Sequence, residues 1–149
     1  MIKIHPAYTR RERAWFNEHI DPYDYPYNLW SDKVDNPVIF IVQDDTKYIG
    51  HAAIETQESK NGVYWYVSGV WIDKNYRNQG IGKALMTYVV NYIRQHSTLP
   101  IHLWTNTVNI PAVRVYEFVG FQVTYRIPEK HGELMYGFDE NSIKMEYTQ

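Results

Sequence analysis

Two spacings of apolar residues alternate along this chain, one of two residues and one near 3.6, and the alternation lays out strands and helices in turn. Ile2 and Ile4 alternate with polar neighbours, which predicts a short first strand over residues 1–5. Helical spacing follows over residues 9–20, with Ala14, Trp15, Phe16 and Ile20 as the inward face. Pro22 and Pro26 resist a long helix, so Tyr23, Tyr25, Tyr27 and Trp30 are placed on a loop or short turns. Residues 37–42 are rich in β-formers, and Asp44-Asp45-Thr46-Lys47 reads as the hairpin turn into a partner strand over 48–55. Gly50 marks a bulge or a close approach in that strand.

The polar stretch 58–62 ends in Asn61-Gly62, a hairpin signal, and a long apolar, aromatic strand runs from 63 to 72. Its Ser68-Gly69 pair invites a bulge that would leave backbone groups unpaired. Ile81, Leu85, Tyr88, Val89, Tyr92 and Ile93 then recur at helical spacing. After a break at 97–100, residues 101–105 form another short strand. Asn109 caps a helix with Pro111 in its first turn and Gly120 at its end. Strands over 121–127 and 143–147 flank a polar segment with turn signals at His131-Gly132 and Gly137. No repeat, linker or low-complexity stretch divides the chain, which predicts a single α/β domain over 1–149.

Composition narrows the function. A chain of 149 residues with 44% hydrophobic and 16% aromatic content can bury a core and is no disordered segment. The net charge of −2 gives no reason to expect nucleic-acid binding. Cysteine is absent, which excludes disulfides, thiolate metal sites and a cysteine nucleophile; no metal site is read. There is neither an apolar signal core nor an eighteen-residue apolar run, so a cytoplasmic, non-membrane protein is expected.

The candidate chemistry centres on Arg77-Asn78-Gln79-Gly80-Ile81-Gly82-Lys83, a basic, glycine-containing turn between a strand and a helix. The first N–H groups of a helix lack internal partners and lie at the positive end of its dipole, and glycine lets an anion come close. A P-loop is excluded, because Ala84 follows Lys83 and Arg77 stands where the first glycine belongs. A dinucleotide fingerprint fits poorly too: Leu85 takes the third small position, and no acid lies about twenty residues on. What remains is Arg-x-x-Gly-x-Gly, read as a site for a cofactor diphosphate, with a glycine-rich helix start that holds no ligand as the alternative.

This pattern, followed by Asn109 and Tyr116-Glu-Phe-Val-Gly120-Phe121, resembles the GNAT superfamily of N-acetyltransferases. The likeness is strongest over residues 70–121. It implies a mixed, mostly antiparallel sheet of about seven strands flanked by about four helices, with a splayed cofactor cleft. It implies acetyl-CoA as co-substrate and an amine as partner, with homodimerisation left open. Backbone groups of Val70, Trp71 and Ile72 would pair with the pantetheine arm. Those from Asn78 through Gln79, Gly80, Ile81 and Gly82 to Lys83 would hold the diphosphate, with Arg77 and Lys83 adding charge. Asn109 would contact the pantetheine arm or simply cap its helix. Tyr116 would donate a hydrogen bond to the departing sulfur.

An amine must be neutral to attack a thioester, and at a pKa near 10.4 only about one in two thousand is neutral at pH 7. Many members of the superfamily answer this with a strand carboxylate, but the matching position here is Tyr66. Glu55, His51 or a water chain past Tyr64, Tyr66 and Ser68 are the substitutes in view. The departure leaves two alternatives to acetylation of a small amine: a non-catalytic acyl-CoA-binding or sensing module, or a protein or peptide N-acetyltransferase. Tyr25, Tyr27 and Trp30 are the candidate walls of the acceptor pocket.

Overall fold

Alternate residues of one strand divide the core in two. In strand β2 (Val38–Asp44), Phe40 and Val42 pack with the buried residues of helix α2 (Ile81–Arg94), while Ile39 and Ile41 pack with Phe16 of helix α1 (Arg10–His19) and with Ile20, its C-cap. This is the period-two rule for a sheet covered on both faces. The structure, a computed structural model, describes residues 1–20, 37–126 and 138–148.

The remaining elements are β1 (Ile2–Pro6), β3 (Lys47–Ser59), β4 (Gly62–Ile72), a single 3-10 turn (Lys74–Tyr76), β5 (Ile101–Asn106), α3 (Ile110–Val119), β6 (Phe121–Arg126) and β7 (Ser142–Tyr147). They form one seven-stranded sheet in the order β1-β2-β3-β4-β5-β7-β6. Every neighbouring pair is antiparallel except β4–β5. Helix α3 lies beside α2, with Tyr116 in the same core cluster. Among the described residues, none of the helices is long and apolar enough to cross a membrane.

Three expectations need adjustment. Instead of about four helices, the described residues hold three α-helices and the 3-10 turn. Strand β3 runs on to Ser59, beyond the expected end at residue 55, because Thr56 through Ser59 pair with the start of β4. Ala14 is exposed; Glu12 is buried in its place and accepts the backbone N–H groups of Tyr8 and Thr9 at 2.8 and 3.0 Å. Thr9 and Glu12 thus form a capping box that starts α1.

The expected bulge is present in β4. His51 pairs with Trp71 and Ala53 with Ser68, so Gly69 and Val70 together oppose Ala52. Gly69 has φ of 60°, and a Cβ there would lie 2.7 Å from Ile20 Cδ1. The position therefore needs glycine twice over, for its backbone and for seating α1. On the other edge, β4 pairs with β5 only from Trp65 to Val67. Past Val67 the two strands diverge and open a cleft.

Candidate active site

The open edge of β4 determines what the cleft offers. The Asp73 N–H bonds to the Ile49 carbonyl at 2.7 Å, so by strand alternation Trp71 faces β3, and Val70 and Ile72 face the cleft. The Ile72 carbonyl accepts Arg77 Nε at 2.8 Å. Arg77 therefore ties the turn back to its strand while its exposed guanidinium keeps its other donors. Asn78 and Gly80 take left-handed backbones, with φ of 63° and 80°, of the kind that shapes anion-binding concavities.

Gly80 is the N-cap of α2 and contributes no side-chain cap. The first bond of the helix runs from Ala84 N–H to the Gly80 carbonyl at 3.0 Å, so the N–H groups of Ile81, Gly82 and Lys83 lie outside the helical ladder. No acidic residue occupies the first turn. A Cβ at Gly82 would meet only the Val115 methyls, the nearer at 3.7 Å. Nothing in the protein's own packing requires glycine there. The sequence-identified cations are held differently from one another: Lys83 Nζ sits 4.3 Å above the Phe118 ring on α3.

Where β4 and β5 part lies a cavity of about 500 Å³ bounded by the bulge of β4, by β5 and by α3. Tyr116 lines it from α3 and is 7% exposed. Burial, with a smaller contribution from Tyr66, pushes its phenol up to about 12. Asn109 also lines the cavity, and its side chain caps α3 by accepting the Ala112 N–H at 3.4 Å. The Ser68 hydroxyl, another lining group, is buried with no hydrogen-bond partner among the described residues. An orphaned polar atom of this kind fits a site completed by a ligand.

Of the candidates for deprotonation, Tyr66 lines the cavity and Glu55 does not. Glu55 stands opposite Tyr66 on β3, one strand further from the cleft, and its carboxylate accepts Gln57 Nε2 at 3.0 Å. Tyr25, Tyr27 and Trp30 lie outside the described residues. The aromatic walls that are described are Trp71, Trp104 and Phe138, the last two stacked 4.7 Å apart.

A histidine pair also lines the cavity. His51 on β3 is 2% exposed; its Nδ1 lies 2.5 Å from the Gly69 carbonyl and its Nε2 lies 2.8 Å from His19 Nδ1. Burial holds the His51 imidazole down, at about 4. Sequence reasoning singled out His51 but not His19, whose only local signal is its place four residues after Trp15, on which it stacks.

The depressed value has a consequence for folding. The unfolded chain binds a proton at His51 near pH 6.5 and the folded chain does not, so this contribution is full above pH 6.5 and is lost as pH falls towards 4. Urea melts across that window should show wild type losing roughly 3 kcal/mol more than H51Q. Equal losses would mean that His51 is not buried as a neutral ring.

Comparisons with known proteins identify the family and the fold. A family model described as "Acetyltransferase (GNAT) family" matches residues 4–121. The chain is 27% identical over 138 residues to the L-amino acid N-acetyltransferase AaaT of Escherichia coli (strain K12), covering 82% of this chain and 83% of that protein. It is 28% identical over 89 residues to a probable spermine N(1)-acetyltransferase of Bacillus subtilis subsp. natto (strain BEST195), covering 59% of this chain and 53% of the relative. Among solved structures, Arabidopsis thaliana NAA60 in complex with acetyl-CoA superposes with a TM-score of 0.73 at 20% identity, covering 99% of this chain and 98% of that one. That last likeness speaks to the fold.

Proposed function

The chain belongs to the GNAT family of acetyltransferases, and on that premise we propose that it moves an acetyl group from acetyl-CoA directly to the primary amine of a small, cytoplasmic acceptor. One observation carries the reading: the unladdered N–H groups of Ile81, Gly82 and Lys83 adjoin a cleft whose strand edge is open at Val70 and Ile72. These residues fit the co-substrate. The helix start would hold the diphosphate, and the exposed edge of β4 would pair with the pantetheine amides as an added strand. Acetyl-CoA supplies an activated acyl carbon and a sulfur leaving group.

The chain's own residues then have three tasks. The aromatic walls exclude water from around the acceptor nitrogen. Tyr116 remains protonated at any physiological pH and donates to the sulfur as negative charge develops there. Tyr66 helps to shape the acceptor side and is no base. A cavity of about 500 Å³ suits a small amine. The similarity to an L-amino acid N-acetyltransferase points to the same class, with polyamines and peptide termini as the other candidates.

Release of free thiol from acetyl-CoA, followed with a panel of L-amino acids, spermine and a short peptide, tests the proposal. At least one small amine should raise release well above the hydrolysis background. Binding of acetyl-CoA with every amine left at background would overturn it.

A further inference from the structure

Resting on that acetyl-transfer reading, we propose that His19 is the general base that deprotonates the acceptor amine, and that His51 is the positioning residue that fixes its tautomer. The hydrogen bonds dictate the proton positions. The Gly69 carbonyl can only accept, so His51 must carry its proton on Nδ1. With one proton, His51 then has a bare Nε2, which accepts from His19 Nδ1 at 2.8 Å. A neutral His19 that donates from Nδ1 has its lone pair on Nε2. That nitrogen has no partner among the described residues, and His19 lines the cavity.

Elimination points the same way. Among the described residues lining the cavity there is no carboxylate, lysine or arginine. Its titratable groups are His19 from α1, His51 from β3, Tyr66 from β4 and Tyr116 from α3; the lining residues of β5 are Leu103, Trp104, Thr105 and Asn106. Burial keeps the Tyr116 phenol protonated at neutral pH, and a tyrosine hydroxyl, with a reference value of about 10, is no ordinary base. Both nitrogens of His51 are engaged, and burial opposes its charge. His19 alone is exposed, so a proton taken at Nε2 can pass to solvent. The Trp71 ring, 4.0 Å away between centroids, and the Trp15 ring at 5.2 Å hold the imidazole in place.

The step balances without any group from outside. The ammonium gives one proton to His19 Nε2, and the freed lone pair attacks the thioester carbon. As the C–N bond forms and the C–S bond breaks, the second nitrogen-borne proton leaves for the thiolate, directly or through water. His19 then releases its proton to solvent. His51 stays neutral throughout, so the imidazolium of His19 keeps an acceptor for its Nδ1–H.

The amine with the highest wild-type turnover serves as probe. H19N keeps an amide donor for His51 but has no basic nitrogen. It should lower kcat/KM for that amine by roughly a hundredfold or more, flatten the acidic limb of the pH profile and leave acetyl-CoA affinity unchanged. H51Q should lower it less and retain the limb. Long-range 1H–15N correlation on wild type, independent of any turnover, should place the protons on Nδ1 of both rings. An H19N enzyme with near-wild-type kcat/KM and the same acidic limb, or a His19 proton found on Nε2, would overturn the assignment. Wild type that turns over no amine would instead sink the underlying acetyl-transfer reading, and this assignment with it.

Discussion

Replacing Gly82 with glutamate should weaken acetyl-CoA binding by roughly a hundredfold or more while leaving the folded chain as stable as before, or slightly more so. The opposite signs follow from one feature. The first turn of α2 has no acid and no side-chain cap, so its N–H groups of Ile81, Gly82 and Lys83 are open to any anion. A carboxylate in that turn interacts favourably with the helix dipole, by about 0.3–1 kcal/mol. The Cβ itself fits, since the nearest atom it meets is a Val115 methyl at 3.7 Å. For a diphosphate the same carboxylate is a competitor for donors and a like charge. Loss of two charge-assisted bonds at about 1.5–3 kcal/mol each accounts for the predicted fall in affinity. Thermal melts and calorimetry on the same sample separate the two effects. A variant that is destabilised and still binds acetyl-CoA would remove the diphosphate from this turn.

Tyr116→Phe should lower kcat by roughly a hundredfold with little change in acetyl-CoA affinity or in thermal stability. With the phenol pushed up to about 12 and a thiol reference value near 8.5, full proton transfer to the departing sulfur is uphill by roughly 5 kcal/mol. Donation of a hydrogen bond carries no such penalty, and it strengthens as charge collects on sulfur. The hydroxyl has no hydrogen-bond partner among the described residues, so its removal leaves no protein group newly unpaired. Stopped-time thiol release across pH is the measurement. Wild type should show no basic limb attributable to Tyr116 below about pH 11, and the variant should be slow at every pH. Undiminished turnover would return Tyr116 to helix packing alone.

Much of the donor side was legible because its signals are local. The hairpin at residues 44–47, the bulge at Ser68-Gly69, the glycines of the turn and the Asn109 cap each depend on a few neighbouring residues, and each appears in the fold. The Thr9–Glu12 capping box was equally readable, and it accounts for the burial of an acid where Ala14 was expected to face inward. The histidine pair depends on long-range packing. His19 and His51 are 32 residues apart, and they meet because the β4 bulge lets α1 settle against the sheet. Nothing in either histidine's flanking sequence encodes that meeting. Glu55 stands cross-strand from Tyr66 yet does not line the cavity, whereas His51 on the same strand does, a difference set by position along β3 relative to the β4 bulge.

Backbone amide shifts of the isotopically labelled chain, recorded while acetyl-CoA is added, test the central claim most directly. The amides of Ile81, Gly82 and Lys83 should move strongly as they take up diphosphate oxygens, together with Val70 and Ile72 at the open edge of β4. Tight binding that leaves the three helix-start amides unmoved, or no binding at all, would contradict the account.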